Sequence, residues 1–102
     1  MTEKQIEQKL VDAIKAQGGV AAKWVSPGWG GVPDRIVLLP GKNRQHGCVG
    51  FVEVKAPGKK PRALQLRRHV QLRTLGFPVF VMDDPEQIPV IIRKIREGNH
   101  DE

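Results

Sequence analysis

Phe51-Val52-Glu53-Val54-Lys55-Ala56-Pro57-Gly58 is the stretch on which the fold turns. With Cys48-Val49-Gly50 before it, it reads as a well-buried β-strand over 48–55, stopped by Pro57-Gly58. Side chains alternate along a strand with period two, so Glu53 and Lys55 share one face while Val52 and Val54 take the other. Alone, an E-x-K triplet is an ordinary ion pair. It needs company before it means chemistry.

The company comes from upstream. Asp34-Arg35-Ile36-Val37-Leu38-Leu39 is another β-rich run, opened by Pro33 and ended by Pro40-Gly41. The polar stretch 42–47 then suits a hairpin. Adjacent strands lie about 4.8 Å apart, so Asp34 and Glu53 converge if the register brings them level. Two facing carboxylates repel unless a hard cation sits between them. Mg²⁺ commonly takes one or two carboxylates plus waters and phosphate. Such an ion polarises a phosphodiester and activates water, and Lys55 can orient that water or offset developing charge.

Charge distribution singles out the same residues. The 102-residue chain carries a net charge of +6, but 1–22 are neutral and 83–102 carry −3. Residues 23–82 hold eleven Lys/Arg and two acids, Asp34 and Glu53. Lys55, Lys59, Lys60, Arg62, Arg67, Arg68 and Arg73 crowd into 19 residues. That density favours a polyanion, with salt-dependent binding to phosphates. Lys59, Lys60, Arg62, Arg67 and Arg68 are the candidate DNA contacts. Arg67 and Arg68 differ by about 100° on a helix, so at most one faces the acids.

The remaining elements follow. Thr2 and Gln5 form a capping box for a helix carrying Ile6, Leu10, Ala13 and Ile14, stopped by Gly18-Gly19. Glu7 falls inside its apolar arc, and Glu3 on the same side at the frayed start; a carboxylate on the buried side of a helix needs a partner. A short strand is expected over 20–25 and a loop over 26–33. A basic loop, 56–61, leads to a helix over 62–75 with Ala63, Leu66, Val70 and, at the margin, Leu72 turned inward. A strand over 78–82 follows. A last helix begins near Pro89 and runs through Ile91, Ile92 and Ile95 to Gly98, before a fraying tail. The order is α-β-β-β-α-β-α. It implies a parallel crossover between 48–55 and 78–82, and a mixed four-stranded central sheet with helices around it.

Length fits one domain over 1–102. A lone Cys48 excludes an internal disulfide framework and reads as a small buried hydrophobe. No apolar run approaches the roughly 18 residues of a membrane span, and the start lacks a signal-peptide layout, so a soluble protein of a reducing compartment is expected. Gly28-Trp29-Gly30-Gly31 lacks the ending of a P-loop. For Trp29, packing is favoured over stacking on an unpaired base. His46, His69 and His100 show no metal-ligand spacing and receive no role.

Pro33-Asp34 followed by Glu53-x-Lys55 resembles the PD-(D/E)XK nuclease superfamily. Glu7, Gly31-Val32-Pro33-Asp34, the 51–58 stretch, Gln65 and Gly76-Phe77-Pro78-Val79 are similar to its virus-type replication-repair branch, VRR-NUC, from Glu7 to about Met82. The resemblance implies that fold, with Asp34, Glu53 and the Val54 carbonyl holding Mg²⁺ or Mn²⁺ and Lys55 catalytic. It implies that Glu7 completes the acidic site and that Gln65 lines it. It also implies a phage-type homodimer acting on branched DNA, a four-way junction or flap, in the cytoplasm of a bacterial host or phage-infected cell. Pro61-Arg62 departs from the Ser or Thr that often precedes the glutamine helix. Two competing readings are a nucleic-acid-binding module without cleavage, and an exonuclease or restriction-like enzyme of the same fold.

Overall fold

The computed structural model describes residues 1–42 and 46–98. The expected tail, and the centre of the expected turn over 42–47, lie outside the described residues. In chain order the elements are α1 (Glu3–Ala16), β1 (Val20–Lys23), β2 (Arg35–Leu39), β3 (Cys48–Val54), α2 (Ala63–Thr74), β4 (Val79–Met82) and α3 (Ile88–Gly98), with a 3-10 turn over Pro85–Gln87 leading into α3. The α-β-β-β-α-β-α order is as read from the sequence. α1 is capped as expected: Thr2 Oγ1 accepts the Gln5 N–H and Gln5 Oε1 accepts the Thr2 N–H. Pro89 sits in the first turn of α3, where its missing N–H removes no helical bond.

The sheet runs β1-β2-β3-β4, with β1/β2 and β2/β3 antiparallel and β3/β4 parallel. This is the mixed sheet that two hairpin-like connections and one helical crossover require. Its two faces are unequal. Ala21, Val37, Leu39, Cys48, Val52, Val54 and Met82 point to one side, where they bury against Ile6, Leu10 and Ile14 of α1 and Ile88, Ile91 and Ile95 of α3. Gly50 lies on this side because α3 presses closest there: a Cβ would stand 2.6 Å from Ile95 Cγ1.

The other side carries Phe51 and Val79, packed with Leu72 of α2 and bordered by Trp24, Trp29, Ile36 and Val49. Here the expectation for α2 holds at Leu72 and fails at its other three residues. Leu66 and Val70 point to solvent, 49% and 60% exposed, and Ala63 is exposed as well. The inward row is Gln65, His69 and Leu72, spaced i, i+4, i+7. An apolarity count chose the wrong side of this helix, because the surface it meets includes a carboxylate and has to be answered with polar groups.

Candidate active site

The β2/β3 register pairs Arg35 with Val52 and Ile36 with Phe51. One step beyond the end of that ladder, Asp34 is level with Glu53. Both point to the α2 side of the sheet, opposite the α1/α3 core. Asp34 is anchored there by the Val54 N–H, which donates to its Oδ2 at 2.8 Å. Its own carbonyl accepts from the Trp24 N–H at 2.9 Å. The convergence that was conditional on register is met.

Glu53 is 1% exposed. Gln65 Nε2 donates to its Oε2 at 3.0 Å, His69 Nε2 lies 3.4 Å from its Oε1, and Lys55 Nζ lies 3.8 Å from Oε2. Burial pushes the Glu53 carboxyl up to about 8 from its ordinary 4.5. The charge and hydrogen bond of Asp34 push the same way, Lys55 pulls against them, and Glu3 adds a smaller push. A buried acid whose neighbours include a second carboxylate and only a loosely paired lysine is short of positive charge.

That donor set fits a hard divalent cation. Two carboxylates match what Mg²⁺ uses beside water and phosphate, and the alternative for Glu53 is to hold a proton. Among the described residues no group of three or more His, Cys, Asp or Glu gathers to hold an ion. Asp34 and Glu53 therefore stand as a pair.

Glu7 is placed elsewhere. Arg35 alternates to the α1 side of the sheet, where its Nε donates to Glu7 Oε2 at 2.8 Å and its Nη1 to the Ala21 carbonyl at 2.9 Å. The partner that Glu7's position on the apolar arc demands is this arginine, with the sheet between it and Glu53. The α1 carboxylate whose charge reaches Glu53 is Glu3, one turn nearer the helix start.

Gln65 does two jobs. Its Oε1 accepts the Arg62 N–H at 2.8 Å, which leaves its Nε2 aimed at Glu53. Arg62 offers no side-chain cap, so this bond is how α2 satisfies its N-cap amide despite Pro61-Arg62.

His69, which the sequence reading gave no role, is 1% exposed and faces Glu53. Burial lowers its pKa, Arg73 and Lys55 lower it further, and Asp34 opposes them. Its Nδ1 is buried without a partner, an arrangement that typically costs about 1–3 kcal/mol. A signal for His69 did exist: it lies four residues after Gln65, on the same helical face.

Of the basic candidates, Lys59, Lys60, Arg62 and Arg67 are exposed. The loop that carries the lysines is tied down where the Gly58 N–H donates to Asp83 Oδ2 at 3.2 Å. Arg68 is engaged otherwise. Its Nε donates to the Gly30 carbonyl at 2.7 Å, and its guanidinium sits 4.9 Å from the centre of the Trp29 ring. Trp29 packs against Trp24 at 6.2 Å, and Trp24 against Phe51 at 5.1 Å. Gly31, at φ +82°, lets the loop close onto α2, where a Cβ would meet Leu64 Cγ at 2.7 Å. Cys48 is buried, His46 is exposed, and His100 lies outside the described residues. A cleft of about 290 Å³ near Pro40, Cys48, Ile92 and Arg96 lies at the start of β3, away from the carboxylate pair at its end.

Paired carboxylates at the ends of adjacent strands, followed by a lysine two residues past the second, mark the α/β core of a PD-(D/E)XK nuclease. Comparisons with known proteins narrow the class. No family model matches the chain. A protein of Acyrthosiphon pisum secondary endosymbiont phage 1, named "Putative nuclease p44", is 49% identical over 84 residues, covering 82% of this chain and 85% of its own length. A solved structure described as a VRR_NUC domain superposes with a TM-score of 0.78 at 32% identity, covering 91% of this chain and 97% of that one. The chain belongs to the VRR-NUC family of nucleases. No helix among the described residues is long and apolar enough to cross a membrane.

Proposed function

We propose that this protein is a Mg²⁺- or Mn²⁺-dependent endodeoxyribonuclease that hydrolyses phosphodiester bonds in branched DNA, acting as a homodimer in the cytoplasm of a bacterial host or phage-infected cell. The observation that carries the reading is the pairing of Asp34 with Glu53, the second buried and held up to about 8. A protein that only bound phosphate would gain nothing from two acids beside it. A protein that holds a cation against phosphate needs them.

Asp34, Glu53 and the Val54 carbonyl would hold the ion, which when bound supplies Lewis-acid polarisation of the phosphodiester and activation of water. Gln65 Nε2 orients Glu53, and the Val54 N–H orients Asp34. Lys55, on the same face as Glu53, places its ammonium where it donates to a phosphate oxygen and offsets charge that grows during transfer. Lys59, Lys60, Arg62 and Arg67 hold flanking phosphates, which position the backbone without reading sequence. Two cuts placed symmetrically on a junction require two such sites about a two-fold axis, the ground for a dimer.

The test uses labelled four-way-junction, flap and linear duplex DNA with Mg²⁺, Mn²⁺ or Ca²⁺, beside Glu53→Ala and Lys55→Ala. Cleavage of branched DNA in Mg²⁺ or Mn²⁺, lost in both variants, is the expected result. Binding without cleavage under every metal would reduce the protein to a binding module. Normal cutting by Glu53→Ala would remove the site.

A further inference from the structure

A glutamate carboxylate turns easily, since its terminal torsion is broad and roughly two-fold. A single donor on one oxygen leaves the plane of the group loosely set. Each Glu53 oxygen faces a nitrogen from the inward row of α2: Gln65 Nε2 donates to Oε2 at 3.0 Å, and His69 Nε2 lies 3.4 Å from Oε1. Asp34 is set separately, from the backbone of β3.

His69 has no other polar engagement that would explain it. Its ring is wholly buried and its Nδ1 has no partner. If the position called only for volume, a leucine or phenylalanine would fill it without leaving a bare nitrogen in the core. The ring is held by α2 between Gln65 and Leu72, so its Nε2 is presented at a fixed place and angle.

We propose that His69 is a positioning residue for the cation site: its Nε2–H donates to Glu53 Oε1 and, together with Gln65, locks the carboxylate plane so that its remaining lone pairs face Asp34. This rests on the reading of Asp34 and Glu53 as a divalent-cation pair. Partners that orient a ligand group in this way typically change metal affinity by about 10–100-fold when removed.

The experiment measures Mn²⁺ binding by calorimetry, melting temperature, and kcat and KM on junction DNA for wild type, His69→Phe and His69→Gln. Phenylalanine keeps the volume and removes the donor; glutamine returns a donor near the Nε2 position. His69→Phe should fold, bind Mn²⁺ about 10–100-fold more weakly, and lose kcat with KM for DNA unchanged, and His69→Gln should recover most of both. A His69→Phe protein with wild-type Mn²⁺ affinity and kcat makes the residue a filler and overturns the inference alone, leaving the nuclease reading intact. A wild type that takes up no Mn²⁺ and cuts no DNA overturns that reading first, and the inference with it. Should His69→Phe fail to fold, the ring ¹⁵N spectrum of Mg²⁺-saturated wild type decides. A proton on Nε2 supports the assignment, and the Nδ1–H tautomer, whose Nε2 is bare, overturns it.

Discussion

Arg35 holds Glu7 at 2.8 Å on the α1 side of the sheet, while its neighbour Asp34 turns to the opposite side to meet Glu53. One residue of strand separates a structural ion pair from the candidate catalytic acid. Both partners are mostly buried, and Arg35 also serves the Ala21 carbonyl. Glu7→Ala leaves that guanidinium short of its acceptor and is expected to lower stability by about 1–3 kcal/mol, with cleavage at saturating metal nearly unchanged. Glu3→Ala should do the reverse: little change in melting temperature, and altered metal affinity, because its charge reaches Glu53. Thermal melts and single-turnover cleavage of the two variants separate the roles.

The elevated Glu53 carboxyl predicts how stability follows pH without metal. Its pKa is about 8 when folded against 4.5 ordinarily, so between those values the folded chain keeps a proton that the unfolded chain has released. Stability must therefore fall as pH rises from 4.5 to about 8, and level off above. Glu53→Gln should remove that slope and melt higher than wild type at pH 8–9 in EDTA. Metal binding displaces the same proton, so apparent Mg²⁺ affinity should tighten by up to about tenfold per pH unit until the carboxyl has ionised. Melting curves across pH and calorimetric titrations check both signs.

Strand order and the face that Asp34 and Glu53 share were legible because each depends on local pattern, alternation and turn residues, while their level pairing waited on the register and Gln65 was named by the family resemblance alone. Which side of the sheet Glu7 occupies was not. It depends on Arg35 alternating away from Asp34 and on α1 packing over that side, a relation between elements that no spacing within α1 encodes. His69 escaped for a related reason. A histidine among arginines on a helix of weak amphipathicity looks solvated until the helix is docked on Glu53.

The basic residues should divide into two groups in a salt titration. Lys59 and Lys60 are exposed on the loop beside the site, and Arg68 is engaged with Gly30 and Trp29. Lys59→Ala and Lys60→Ala should each reduce the slope of log affinity against log salt by about 0.9 at unchanged melting temperature, one phosphate contact apiece. Arg68→Ala should instead lower the melting temperature and speed amide exchange at 28–31, where the loop loses its tie to α2. Fluorescence anisotropy on a metal-free junction at several salt concentrations measures the slopes.

The inversion of α2 predicts an unusual substitution pattern for a helix. Leu66 and Val70 point to solvent, so Leu66→Gln and Val70→Gln should shift stability by no more than about 0.5 kcal/mol. Leu72 is 4% exposed and packs with Phe51 and Val79, so Leu72→Ala should cost about 2–5 kcal/mol. Gln65→Leu, which puts an apolar group on the inward side, should be worse than its hydrophobicity suggests. It removes a donor from a buried carboxylate and the acceptor that satisfies the Arg62 N–H. If α2 were instead docked through Leu66 and Val70, the ranking would reverse, and denaturant unfolding of these four variants distinguishes the two arrangements.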